Sequence, residues 1–167
     1  SYMPMVKDAC DKMQTQWKAV SDILSALSVD EPEVAHEICD EVEKFVEQMG
    51  WIWKGCALVS CAQARLRRQK QENIPHLLRS ALSSLALSNL EEVSQNLVEM
   101  VGILLASENF PGKSELLAQT VALARKQEIL RYRLPALIKI WKKLASTPEA
   151  NAYHFLLNEA LELLEND

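Results

Sequence analysis

Along this chain apolar residues recur at every third or fourth position and do not alternate. The runs are set apart by Asp, Asn or Thr followed at once, or after one residue, by proline. Spacings of three and four align side chains on one face of an α-helix, whereas a half-buried strand needs alternation. Proline fits the first turn of a helix, because the N–H it lacks has no intrahelical partner there. Asp30-Glu-Pro-Glu33, Asn73-Ile-Pro75 and Thr147-Pro148 therefore read as helix starts, with Glu33 completing a capping box after Asp30. Only four glycines and six prolines occur in 167 residues, too few for the turns of an all-β fold. The expectation is an all-α chain.

The periodicity predicts about eight antiparallel helices in one domain, residues 1–167. The first runs from Pro4 to Leu27. The second carries Val34, Ile38, Val42, Phe45, Val46 and Met49 on one stripe and acids on the other. An apolar helix follows from Trp51 and trails into Arg65, Arg67, Arg68 and Lys70, which suit the negative end of a helix dipole. Further helices open at Asn73 and Asn89, and after the loop Phe110-Pro-Gly112 a sixth runs from Ser114 to about Arg131. Pro135 reads as a break, followed by helices at Ala136–Ala145 and beyond Thr147-Pro148. Starts near residues 32, 73 and 113 recur at about 40 residues, the range of helical hairpins stacked in HEAT/ARM/TPR-like arrays. Trp51, Ile52, Leu58, Leu82, Leu104 and Leu123 are the expected core.

Chemistry is excluded more readily than it is found. His36, His76 and His154 lie on three separate predicted helices. The His36–Cys39 spacing has no second pair to complete a zinc site, so no metal is expected. No GxSxG occurs, glycines are too scattered for a phosphate loop, and neighbouring carboxylates such as Glu91 and Glu92 do not face each other on a helix. A non-enzymatic chain with no cofactor is the expectation. Met49–Ala64, the most apolar stretch, is shorter than the ~20 residues of a membrane span and holds Lys54. Cys10, Cys39, Cys56 and Cys61 lack the framework of a disulfide scaffold and read as free thiols of an intracellular protein, cytoplasmic or nuclear.

Charge is unevenly distributed. Residues 113–143 hold eight basic and two acidic side chains in a chain of net charge −5, and residues 144–167 hold five acids and no Lys or Arg. Arg131, Arg133, Lys139, Lys142 and Lys143 form the candidate partner-binding set, with Arg131 and Arg133 expected in a linker before Pro135. Such a patch suits an acidic protein or peptide, or a nucleic-acid backbone. Internal pairing with the acidic second helix or the acidic tail satisfies the same pattern.

Within this region TVALARKQEILRYRLPALIKIWKKLA, Thr120 to Ala145, resembles the last helices of the TFIIS N-terminal-type domain, with Leu137, Trp141, Lys142 and Leu144 in the places of its Leu-x-x-x-Trp-Lys-x-Leu-like segment. The likeness covers 26 residues, and the Gly-Lys typical of that family is out of register. It implies a transcription- or nucleic-acid-associated bundle. The residues themselves favour an adaptor or scaffold that binds a partner on a groove or basic surface, and a small enzyme with a dispersed site is the third possibility.

Overall fold

The computed structural model describes residues 4–5, 19–20, 23–24, 30–48, 51–67 and 71–166. Among them the chain is all-helical, with no strand. Seven helices are labelled here: α1 Pro32–Phe45, α2 Trp51–Arg67, α3 Ile74–Leu85, α4 Glu91–Ala106, α5 Lys113–Arg125, α6 Leu130–Leu144 and α7 Phe155–Glu165. A 3₁₀ turn, Val46–Gln48, follows α1, and a helical turn, Ala150–Tyr153, precedes α7. Most of the expected first helix lies outside the described residues; Val20 and Leu24 are helical and buried.

Two compact units share the chain: residues 1–88 with 107–110, and residues 89–106 with 111–167. In the first unit α2 packs against α1 and, most extensively, against α3. Gly55 permits that approach, since a Cβ there would lie 2.8 Å from Leu85 Cγ and 3.2 Å from the Ala81 carbonyl. In the second unit α4 packs against α5 and α6, and α6 also against α7. Val93, Leu97, Met100, Val101 and Leu104 of α4 are buried there with Leu137, Ile140 and Leu144 of α6.

Several boundaries differ from expectation for identifiable reasons. Glu31, not Asp30, is the N-cap of α1, and neither it nor Asn73 before α3 makes a side-chain capping bond. Thr147 donates its hydroxyl back to the Leu144 carbonyl (2.7 Å), closing α6 instead of opening the next segment. Gly112 has φ 83°, the left-handed conformation that favours glycine, and its carbonyl accepts the first bond of α5 from Leu116. The helix expected to reach Arg131 stops at Arg125, where no glycine or proline stands. Gln127 is buried and its side-chain amide donates to the Leu123 carbonyl (3.3 Å), the acceptor that its own backbone N–H would use in a continuing helix. Pro135 breaks nothing. It is the sixth residue of α6 and exposed, and the helix runs through it.

Of the expected core, Leu58 and Leu104 are buried, whereas Ile52, Leu82 and Leu123 are half-buried at helix edges. The Trp51 side chain lies outside the described residues.

Candidate interaction surface

Helix α6 is amphipathic by its own spacing. Leu137, Ile140 and Leu144 recur at three and four and turn inward, and Arg131, Pro135, Lys139 and Lys142 form the exposed stripe on the other side. From Arg131 to Lys142 is eleven residues, or about 16 Å along the axis. Arg131 Nη2 donates to the Tyr132 hydroxyl (2.7 Å) and its guanidinium stands 4.8 Å from the Tyr132 ring centre. The ring thus restrains a long side chain and lowers the rotamer entropy that a partner's carboxylate would have to remove. Lys143 leaves the stripe: its side chain crosses Gly102 of α4, where a Cβ would lie 3.1 Å from its ammonium.

The sequence-predicted set is therefore only partly brought together. Arg131, Lys139, Lys142 and Lys143 are exposed on one helix, and Arg131 and Arg133 occupy its first turn, not a linker. Arg133 is the exception. It lies toward the inward side, four residues before Leu137, half-buried with its Nε buried and without a hydrogen-bond partner. Among the described residues none of the five makes an ion pair with an acid. Arg125, at the end of α5, does pair: its Nε donates to Glu159 of α7 (2.7 Å) and its guanidinium lies 4.8 Å from the Phe155 ring centre. The acidic tail thus neutralises Arg125. Trp141, half-buried on α6, meets His154 edge-on at 5.4 Å.

Electrostatics of α6 run against helix stability. Cations stand in its first turn, no acid accompanies them, and the first turn is the positive end of the dipole. Lys142 and Lys143 suit the last turn, but both lie within one turn of Lys139, a like-charge arrangement.

A polar cluster that sequence reasoning missed lies in the first unit. Arg65 is 3% exposed, and its guanidinium donates to Asp40 (2.8 Å) and Glu43 (3.3 Å) and lies against the His36 ring, 3.0 Å from Nε2. Burial works against its charge, but the Asp40 hydrogen bond and the nearby negative charges prevail and raise its pKa. The signal available was the four- and three-residue spacing of His36, Asp40 and Glu43, which share one side of α1. Beneath them the Cys39 thiol lies 3.9 Å from the Cys61 carbonyl, and contact with Cys39 together with burial raises the Cys61 pKa. His36 and Cys39 belong to this packing, and among the described residues no group of three metal-ligating side chains converges. A hollow of about 190 Å³ is lined by Glu43, Glu47, Lys54, His76 and Ser80, where Lys54 and Glu47 satisfy each other at 2.9 Å. Among the described residues no helix is long and apolar enough to cross a membrane.

No protein-family model, curated protein or solved structure matches the chain. The likeness of residues 120–145 to the TFIIS N-terminal-type domain thus has no family match behind it, and the surface is read from its own chemistry.

Proposed function

We propose that this chain is a non-enzymatic interaction module, an adaptor or scaffold, whose α6 stripe docks an acidic segment of a partner protein. One observation carries the reading: Arg131, Lys139 and Lys142 are aligned and exposed, with no acidic partner among the described residues. Carboxylates spaced along an acidic helix meet such a stripe in register, because both helices rise ~1.5 Å per residue. A long polyanion fits less well. The unit bearing the stripe holds eight basic and ten acidic residues, so a nucleic acid extending past α6 meets repulsion.

Fluorescence anisotropy tests this with two probes, a labelled Glu-bearing helical peptide and a duplex of about 20 base pairs, each at low and moderate salt. The peptide is expected to bind, and Arg131→Glu/Lys139→Glu/Lys142→Glu to weaken it by about tenfold or more. Duplex binding that is tighter than peptide binding and falls steeply with salt would favour the nucleic-acid reading instead. Peptide binding unchanged in the triple variant refutes the α6 site.

A further inference from the structure

We propose that the outer face of α7 is a second docking site, and that its occupant is an amphipathic helix of a partner protein carrying basic residues beside its apolar stripe. Leu156 and Ala160 seat α7 on the unit and are buried. Leu157, Leu161 and Leu164 recur at four and three and form a separate stripe, with Leu157 half-buried, Leu161 49% exposed and Leu164 54% exposed. One exposed leucine is unremarkable. Three aligned on one helix make the kind of patch that marks a helix-binding surface, read by anchors at the same spacing.

Charge selects the occupant. Glu165 is exposed beside Leu161 at one edge of the stripe, and Glu162, three residues before it, is exposed further round the same side of the helix; neither makes an ion pair among the described residues. They also stand at the C-terminal end of α7, where the dipole is negative and no basic residue occupies the last turn. Exposed leucines and acids at the wrong helix end both cost stability, and a basic amphipathic helix relieves both at once. A second copy of the chain does not. An antiparallel α7 pair about a two-fold axis sets the same edge of each helix on one side, acid against acid, and a parallel pair aligns the two negative helix ends.

The experiment uses the full chain and two labelled synthetic peptides: one with leucines at i, i+4 and i+7 and lysines along one edge, and its twin with glutamines in place of the lysines. The lysine peptide is expected to bind at least about tenfold more tightly than its neutral twin, the contribution of the lysines facing the acidic rim. Leu161→Ser/Leu164→Ser should weaken it by about tenfold while leaving the circular dichroism unchanged, since both positions are exposed. Glu162→Lys/Glu165→Lys should reverse the peptide preference. Equal binding of the two peptides, or indifference to the leucine substitutions, overturns the proposal. So does a dimer in sedimentation that the leucine substitutions dissolve, because the occupant would then be a second copy.

Discussion

Removing the acids around Arg65 should damage the fold more than removing Arg65 itself. With an effective dielectric of ~20, each carboxylate contact near 3 Å is worth roughly 5–6 kcal/mol before desolvation. Taking the guanidinium out of water costs several kcal/mol in return, so the net is small. The two sides of the pair are not equivalent. The Arg65 side chain is 3% exposed, whereas Asp40 is 55% and Glu43 28% exposed, so the acids can turn to solvent and the arginine cannot. Arg65 Nε is also buried without a hydrogen-bond partner, a penalty that disappears with the side chain. Arg65→Met keeps most of the stem's volume and should therefore change stability by no more than about 1 kcal/mol. Asp40→Ala/Glu43→Ala strands a buried cation and should cost about 3–5 kcal/mol. Urea denaturation gives the totals, and hydrogen exchange over residues 32–67 localises the loss to α1 and α2. If Arg65→Met costs more than the double acid variant, the pair is a net stabiliser and the desolvation reasoning fails.

Leu104 is fully buried in α4, and Leu104→Ala should lose about 2–5 kcal/mol in chemical denaturation; a loss below about half a kcal/mol would place that helix at the periphery. Gly55→Ala sets a methyl 2.8 Å from Leu85 and should cost about 1–3 kcal/mol, seen as a lower Tm; an unchanged Tm would mean that α2 and α3 separate freely. Burial, and secondarily Glu149, raise the Tyr153 pKa, so the folded state holds this proton to higher pH than the unfolded state does. The stabilisation is complete below the ordinary tyrosine pKa and is lost as pH rises through the folded value; ultraviolet titration against Tyr153→Phe should show that phenol ionising late, and ordinary ionisation would refute its burial.

Helix content was legible because it needs only local spacing and first-turn prolines, and both are written in consecutive residues. The end of α5 was not. It depends on where the Gln127 side chain goes, and a long amide reads as one more helix former. Pro135, which reads as a helix break, hides the orientation of Arg133 in the same way. Once α6 starts at Leu130, Arg133 shares a side with Leu137, Ile140 and Leu144 and cannot belong to the outer stripe. Arg65 escaped notice for another reason. A buried charge is defined by partners more than 20 residues away, and beside Arg67 and Arg68 it reads as an ordinary cationic helix end. The exposed lysines of α6 needed no distant information, since three- and four-residue spacing alone places Lys139, Lys142 and Lys143 within one turn.

Lys139 separates a binding surface from internal glue by the sign of one stability change. Its neighbours one turn ahead are Lys142 and Lys143, and one turn behind stand Ala136 and Pro135, so every nearby charge on α6 repels it. Lys139→Glu converts two like-charge contacts into attractive ones, with the acid N-terminal to the lysines as the helix prefers. At about 0.2–0.5 kcal/mol of repulsion removed and as much attraction gained per pair, the substitution should stabilise the folded chain by about 0.8–2 kcal/mol. Were Lys139 instead held by an acid elsewhere in the chain, the same change would set carboxylate against carboxylate and lower stability. Denaturation at low salt reads the sign, and high salt should shrink the effect, because these charges are exposed. The acidic-peptide titration on the same variant completes the test. A more stable protein that binds the peptide less well is the expected pairing, a surface kept for a partner at a cost to the fold. A less stable protein that binds equally well would make α6 an internal electrostatic contact and refute its role as a docking stripe.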